Sequence, residues 1–222
     1  MFNERVVTIV VDSFQKILLP GLALTIPLTA ISFAIALVIA IVVALVQIAN
    51  IKILKDIARF YVWAVRGTPL LVQLYVVFYG LPRMDVMIEP IPAAIIVFAL
   101  NTGAYDAETM RAAISSVAKG QLEAGLSLGM TYWQIMWYII LPQAFRVAFP
   151  PLSNSLISLL KDTSLAANIT VAEMFMATQR IVARTWEPMA LYIEVGCIYL
   201  LFSTVLAKLQ HIGEARLSKY SI

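Results

Sequence analysis

Residues 17–51 form a run of thirty-five without a single charged side chain. About 20 apolar residues in a helix suffice to cross the ~30 Å hydrocarbon layer of a bilayer, so this run predicts a first membrane span at about residues 22–46. The rest of the chain agrees with that reading. Charged residues make up 13% of it and the mean hydropathy is +0.88, about half the charge expected of a soluble domain. Further long apolar runs alternate with charged clusters, which predicts an all-α, polytopic membrane protein. A membrane barrel would instead show short alternating segments.

Taken in order, the chain predicts five spans. Residues 1–19 mix Val6, Val7, Ile9 and Phe14 with Glu4, Arg5, Asp12 and Lys16, the pattern of a helix lying in the membrane interface. Glu4 and Asp12 also interrupt any apolar core of a cleavable signal peptide. Pro20 and Pro27 fall near the start of the first span, where a kink is expected. Lys52, Lys55, Asp56, Arg59 and Arg66 form a basic loop. The second apolar run, residues 67–82, is short and is expected to borrow Tyr61 to Val65. The third span begins at Pro90 and extends past Asp106 and Glu108 toward Arg111. The fourth is expected from Ala148 to Ala172, interrupted by Lys161 and Asp162. Residues 173–187 lie outside, and residues 188–207 form the fifth span, with Glu194 within it. Basic residues collect on the cytoplasmic side. With the N-terminus outside and the C-terminus cytoplasmic, ten of the sixteen basic residues lie inside and five outside, Lys161 being within a span.

That orientation requires residues 121–142 not to cross. Ser127, Thr131, Gln134 and Tyr138 fall on one helical stripe, and Leu126, Met130, Trp133, Trp137 and Ile140 on another. The pattern predicts an amphipathic helix with one wet face. If it crossed, Lys208, Arg216 and Lys219 would face outward and the charge bias would weaken. A carboxylate early in such a helix, Glu123, suits the positive end of its dipole. Gly129 permits a bend or a close approach, and Pro142 is expected to end the helix and set the angle into the fourth span.

The same stretch carries a resemblance. Glu123-Ala124-Gly125, then Gly129, then Ile139-x-Leu141-Pro142 resembles the EAA loop of ABC-importer permeases, with Gly125 where the family usually has alanine. The resemblance implies a permease of the type I ABC-importer fold whose cytoplasmic loop, residues 112–146, docks into a groove on an ATPase subunit. Glu123, Ala124, Gly125, Gly129, Leu141 and Pro142 would be the coupling residues. Arg66-Gly67-Thr68-Pro69-Leu70-Leu71-Val72-Gln73, Asn101-Thr102-Gly103-Ala104-Tyr105 and Lys161-Asp162-Thr163-Ser164-Leu165-Ala166 resemble segments of polar amino-acid permeases. The fuller strings RAAISSVAKGQLEAG, LPQAFRV and PPLSNSLISLLKDTSLAA look most like the cystine-importing branch.

This resemblance implies a multi-pass protein of the bacterial cell membrane, in a single domain over residues 1–222. It implies two copies of an ATPase, a second permease copy making a homodimer, an extracytoplasmic binding protein, and L-cystine as substrate. Permeases for glutamine, glutamate, arginine or histidine share most of these strings. An ion-coupled secondary transporter using Asp162 or Glu194, or a structural membrane subunit, are the readings from other classes. No phosphate-binding G-x-x-x-x-G-K-[ST] loop occurs in the chain. It is therefore not expected to be an enzyme, and ATP and Mg²⁺ would sit on the partner.

Ionisable residues inside a span mark a pathway or a paired helix contact. Lys161 and Asp162, as sequence neighbours, do not share a helix face. With Thr163 and Ser164 they predict a broken or hydrated helix lining a passage. Ser155 and Ser158 fall at helical spacing from Asp162. Gln73 and Asn101 are further candidates, although polar residues in spans also bond helix to helix. One cysteine, Cys197, and one histidine, His211, suggest neither a disulfide nor a metal site. Cys197 is expected to be packed and His211 solvated. Nothing in the charge distribution suggests nucleic acid.

Overall fold

The computed structural model describes residues 4–49 and 51–218; residues 1–3 of the expected N-terminal helix, Asn50 and the basic Lys219 lie outside these. The described residues are almost entirely helical and contain no strand. The α-helices are α1 (Glu4–Pro20), α2 (Ile26–Ile48), α3 (Lys52–Arg66), α4 (Leu70–Tyr75), α5 (Pro90–Ser116), α6 (Lys119–Ser127), α7 (Tyr132–Ile135), α8 (Leu141–Asp162), α9 (Met174–Thr185) and α10 (Pro188–Ser218). Among the described residues, two helices are long and apolar enough to span a membrane, Glu4–Ile48 and Pro188–Leu217. A third is gained if the bent pair Lys52–Arg66 and Leu70–Met84 counts as one span.

Among the described residues, three π-turns recur with one sequence cause. They cover Gly21–Thr25, Val76–Gly80 and Met136–Ile140. Each is followed by one residue and then a proline: Ile26-Pro27, Leu81-Pro82 and Leu141-Pro142. In each, the residue before the proline donates its N–H five residues back, to Gly21, Val76 and Met136 respectively. A proline lacks an N–H and its ring crowds the carbonyl four residues earlier. Widening the preceding turn by one residue relieves both problems without ending the helix.

Pro142 thus does not terminate a helix, as the sequence suggested. It stands second in α8, and the chain stays helical from Tyr132 to Asp162. The second span also differs from expectation. Helix α3 stops at Arg66, Gly67 closes it by donating to the Trp63 carbonyl at 3.0 Å, and Pro69 is extended at ψ 137°. Tyr61 to Val65 belong to that separate helix rather than to the apolar run after it. The fourth helix ends at Asp162, and a 3-10 segment, Thr163–Ile169, replaces the expected continuation.

The chain divides into two compact units, Met1–Ala34 with Thr68–Ala99 and Leu156–Leu206, and Ile35–Gly67 with Leu100–Ser155 and Ala207–Ile222. The first packs around Leu28, Leu74, Phe98, Leu159 and Ile169, with a second cluster at Ile17, Met174, Leu191 and Ile198. Helix α1 buries Val6, Ser13 and Ile17. Its Ser13 Oγ donates to Glu194 at 2.6 Å, so this buried carboxylate of α10 serves a helix contact. Cys197, expected to be packed, is exposed on α10.

In the second unit the fit rests on small residues. Ala36, Ala40 and Ala44 recur every fourth residue along α2 and are buried. A Cβ on Gly103 of α5 would meet Ile39 Cγ2 at 2.9 Å and the Ala36 carbonyl at 3.2 Å. Such stripes let two helix backbones approach closely.

Candidate functional site

The stretch centred on Gly129 is not one helix. Gly129 adopts φ +76°, a conformation open to glycine and costly for most other residues. The Met130 N–H donates to the Gly125 carbonyl at 3.1 Å and the Gly129 N–H to Leu126 at 2.9 Å. These are the paired bonds of a Schellman closure, and they end α6. Two residues later Thr131 starts α7 with a capping box. Its Oγ1 accepts the Gln134 N–H, and Gln134 Oε1 accepts the Thr131 N–H at 2.8 Å. Ser127 Oγ donates back to the Glu123 carbonyl at 2.9 Å. Of the polar residues read from sequence as one wet stripe, Thr131 and Gln134 therefore form a helix cap and Ser127 bonds back within α6, on opposite sides of the break at Gly129. Thr131-x-x-Gln134 is itself a capping-box signature legible in the sequence.

Helices α6 and α7 meet at Gly125. It is buried, and a Cβ there would lie 2.6 Å from Cγ1 of the fully buried Ile135. This contact explains why glycine stands where the EAA pattern usually has alanine. The outer surface of the turn is apolar and open. Leu128, Trp133, Trp137 and Tyr138 are each at least 70% exposed, while Glu123, Ala124, Gly129 and Pro142 are exposed and Leu141 half-buried.

The residues suggested for a substrate pathway separate into groups. In the first unit, a cavity of about 410 Å³ is lined by Lys161, Ser164, Phe175, Tyr192, Val195, Gly196 and Tyr199. The rings of Phe175 and Tyr192 stack with centroids 5.9 Å apart. Ser164 donates to the Lys161 carbonyl at 2.8 Å. Thr163 is fully buried and donates to Leu160 at 2.7 Å. Asp162 is half-buried and Ser158 exposed. Gln73 closes the turn before it by donating to Thr68 Oγ1 at 2.9 Å. In the second unit, Ser155 lies beside the buried Asp106, and Asn101 is half-buried on α5.

Glu173 was not singled out by sequence. It is fully buried, and its carboxylate accepts the N–H groups of Phe175 and Met176, both at 2.8 Å, and the Tyr199 hydroxyl at 3.0 Å. Burial pushes its carboxyl above the usual range, while these three bonds pull the other way. It caps α9 and fixes Tyr199 at the cavity wall. No cluster among the described residues could hold a metal ion.

Residues 36–219 match the family described as the binding-protein-dependent transport system inner membrane component. The chain belongs to this family. It is 47% identical over 213 residues to the L-cystine transport system permease protein TcyB of Bacillus subtilis, covering 96% of this chain and 91% of that one. It is 39% identical over 157 residues to the glutamine transport system permease protein GlnP of Escherichia coli, covering 70% and 72%. Its fold matches a chain of a crystallised amino acid ABC transporter with histidines at TM-score 0.87 and 33% identity, over 93% and 96%. The chain is thus an all-helical membrane permease component of an amino-acid ABC importer.

Proposed function

We propose that this permease carries L-cystine, driven by ATP hydrolysis on a separate subunit. The observation that carries the substrate is the 47% identity to a cystine permease across 96% of the chain. The cavity chemistry agrees with it. The Lys161 ammonium suits a substrate carboxylate, and the ring faces of Phe175 and Tyr192 suit an ammonium group. Aromatic edges also favour divalent sulfur. Lys161, Asp162, Thr163 and Ser164, with Ser155, Ser158, Gln73 and Asn101, are the pathway candidates.

In this reading the chain has five spans in the bacterial cell membrane, N-terminus outside and C-terminus cytoplasmic. Two copies pair, each presenting its Gly129 turn to one of two ATPase copies, which hold ATP and Mg²⁺. The exposed apolar surface around Leu128 and Trp133 is what a docking segment needs. Glu123, Ala124, Gly125, Gly129, Leu141 and Pro142 shape it. An extracytoplasmic binding protein delivers the substrate. The 39% identity to a glutamine permease favours a second reading, transport of another polar amino acid.

The test is uptake of labelled cystine in cells lacking their own carriers, expressing this chain with its ATPase and binding protein. Unlabelled amino acids compete one at a time, and a Gly129→Asp variant runs alongside. The expected result is uptake blocked by cystine alone and abolished in the variant. Uptake of glutamine instead of cystine overturns the substrate, and undiminished uptake in the variant overturns the coupling role. Uptake without the ATPase would point to ion coupling.

A further inference from the structure

Helix α3 presents three sectors. At 100° per residue, Ala58 and Val62 fall together on a buried side. Ile53, Ile57 and Phe60 fall on a second side and are 74%, 61% and 66% exposed. Lys52, Arg59 and Arg66 recur every seventh residue along a third, with Lys55 beside them. Trp63, 71% exposed, lies at the border of the apolar and cationic sectors, its ring 5.8 Å from Phe60.

The cations differ in commitment. Arg66 stacks over the Tyr105 ring at 5.0 Å, and Arg59 has Asp56 at 3.9 Å. Among the described residues, neither Lys52 nor Lys55 forms an ion pair. The helix is held on its inner side by Tyr61, whose hydroxyl donates to the Leu100 carbonyl at 2.6 Å. Its outer side thus needs a surface with an apolar layer beside a negative layer, both running parallel to the helix axis.

We propose that α3 docks on the anionic phospholipid of the membrane leaflet, inserting Ile53, Ile57 and Phe60 among the acyl chains and setting Lys52 and Lys55 against the phosphates. A basic helix with one apolar face binds such an interface, and aromatic residues such as Trp63 settle at headgroup level. The charge pattern decides the occupant. A neutral lipid would satisfy the apolar sector and leave the lysines unmatched.

The test uses the full chain in phosphatidylcholine nanodiscs containing brominated phosphatidylglycerol or brominated phosphatidylcholine at equal mole fraction. The tryptophan quenching lost in a Trp63→Phe variant isolates Trp63. Preferential quenching by the brominated phosphatidylglycerol is expected in the wild type, with an enrichment of up to about thirtyfold for two uncompensated lysines. It is expected to vanish in Lys52→Gln/Lys55→Gln and to persist in a Lys119→Gln control. Equal quenching by both lipids in the wild type overturns the proposal, as does loss of preference in the control. Quenching by neither lipid means that protein covers this face, and overturns it as well.

Discussion

Two breaks in the helical path use the same backbone closure in opposite surroundings. At Gly129, N–H groups of residues 129 and 130 bond back to residues 126 and 125. At Thr170, those of residues 170 and 171 bond back to residues 167 and 166. Both turning residues are left-handed, at φ +76° and +67°. A capped helix follows each, started by Thr131 in one case and Glu173 in the other. The first break is completed by its own neighbours and stays exposed. The second reaches across the unit, with Glu173 receiving Tyr199 from α10 and the Met174 N–H donating to Thr25 at 3.3 Å. A turn closed locally keeps its shape while its outer surface remains open for a partner. A turn closed by distant groups is part of the core it joins.

The largest expected effect follows from that difference. Glu173→Ala strands two N–H donors and a buried hydroxyl at once, at roughly 3–5 kcal/mol. A drop in melting temperature of about 10 °C in the purified protein is expected, with a smaller drop for Glu173→Gln, which keeps one acceptor oxygen. If Glu173→Ala melted like the wild type, the buried break would be as self-contained as the exposed one.

Next is the contact that shapes the exposed break. Gly125→Ala drives a methyl into Ile135 and is expected to cost about 1–3 kcal/mol. Adding Ile135→Val removes a methyl from the crowded side and should restore part of the loss. Rescue, read from melting temperature and from uptake, identifies steric fit between α6 and α7 as the reason for the glycine. A failed rescue assigns the loss to something other than the Cδ1 methyl, which would lie 2.9 Å from the added Cβ.

What the sequence disclosed follows the same division. The uncharged run at residues 17–51 and the end of the chain became the two long apolar helices, Glu4–Ile48 and Pro188–Leu217. The EAA pattern identified the family. Local signals that went unread were still present: Thr131-x-x-Gln134 is a capping box, and prolines after apolar turns account for all three π-turns. Glu173 was of another kind. Its partners are the N–H groups of Phe175 and Met176 and the hydroxyl of Tyr199, 26 positions further on in α10, and no local pattern distinguishes it from a solvated loop carboxylate. Pro142 misled for a physical reason, because a proline can be absorbed by widening the turn before it.

A swap between the two turning residues sharpens the comparison further. Left-handed backbone costs a side-chain-bearing residue about 1–2 kcal/mol. Nothing lies within 4 Å of a Cβ placed on Gly129, so Gly129→Thr is expected to show that backbone cost alone. Thr170→Gly should gain a smaller amount, since the unfolded glycine is also freer. Opposite signs in paired melting curves would establish that the two turns are strained alike. Equal signs would break the parallel.

The smallest effect is expected at the capping box. Thr131→Ala removes the oxygen that accepts the Gln134 N–H, a loss of about 1 kcal/mol, while Thr131→Ser should be close to neutral. The helical path from Tyr132 to Asp162 begins at this cap, and its first turn is held mainly by it. The cost should therefore surface locally before it is seen in global melting. Limited proteolysis between Leu128 and Tyr132 measures it, with cleavage about fivefold faster in Thr131→Ala if opening is fast and the full 1 kcal/mol is felt there. The same protease should cut the Thr170 turn at an unchanged rate. Faster cutting at both turns would mean that the exposed break is not closed by its own residues after all.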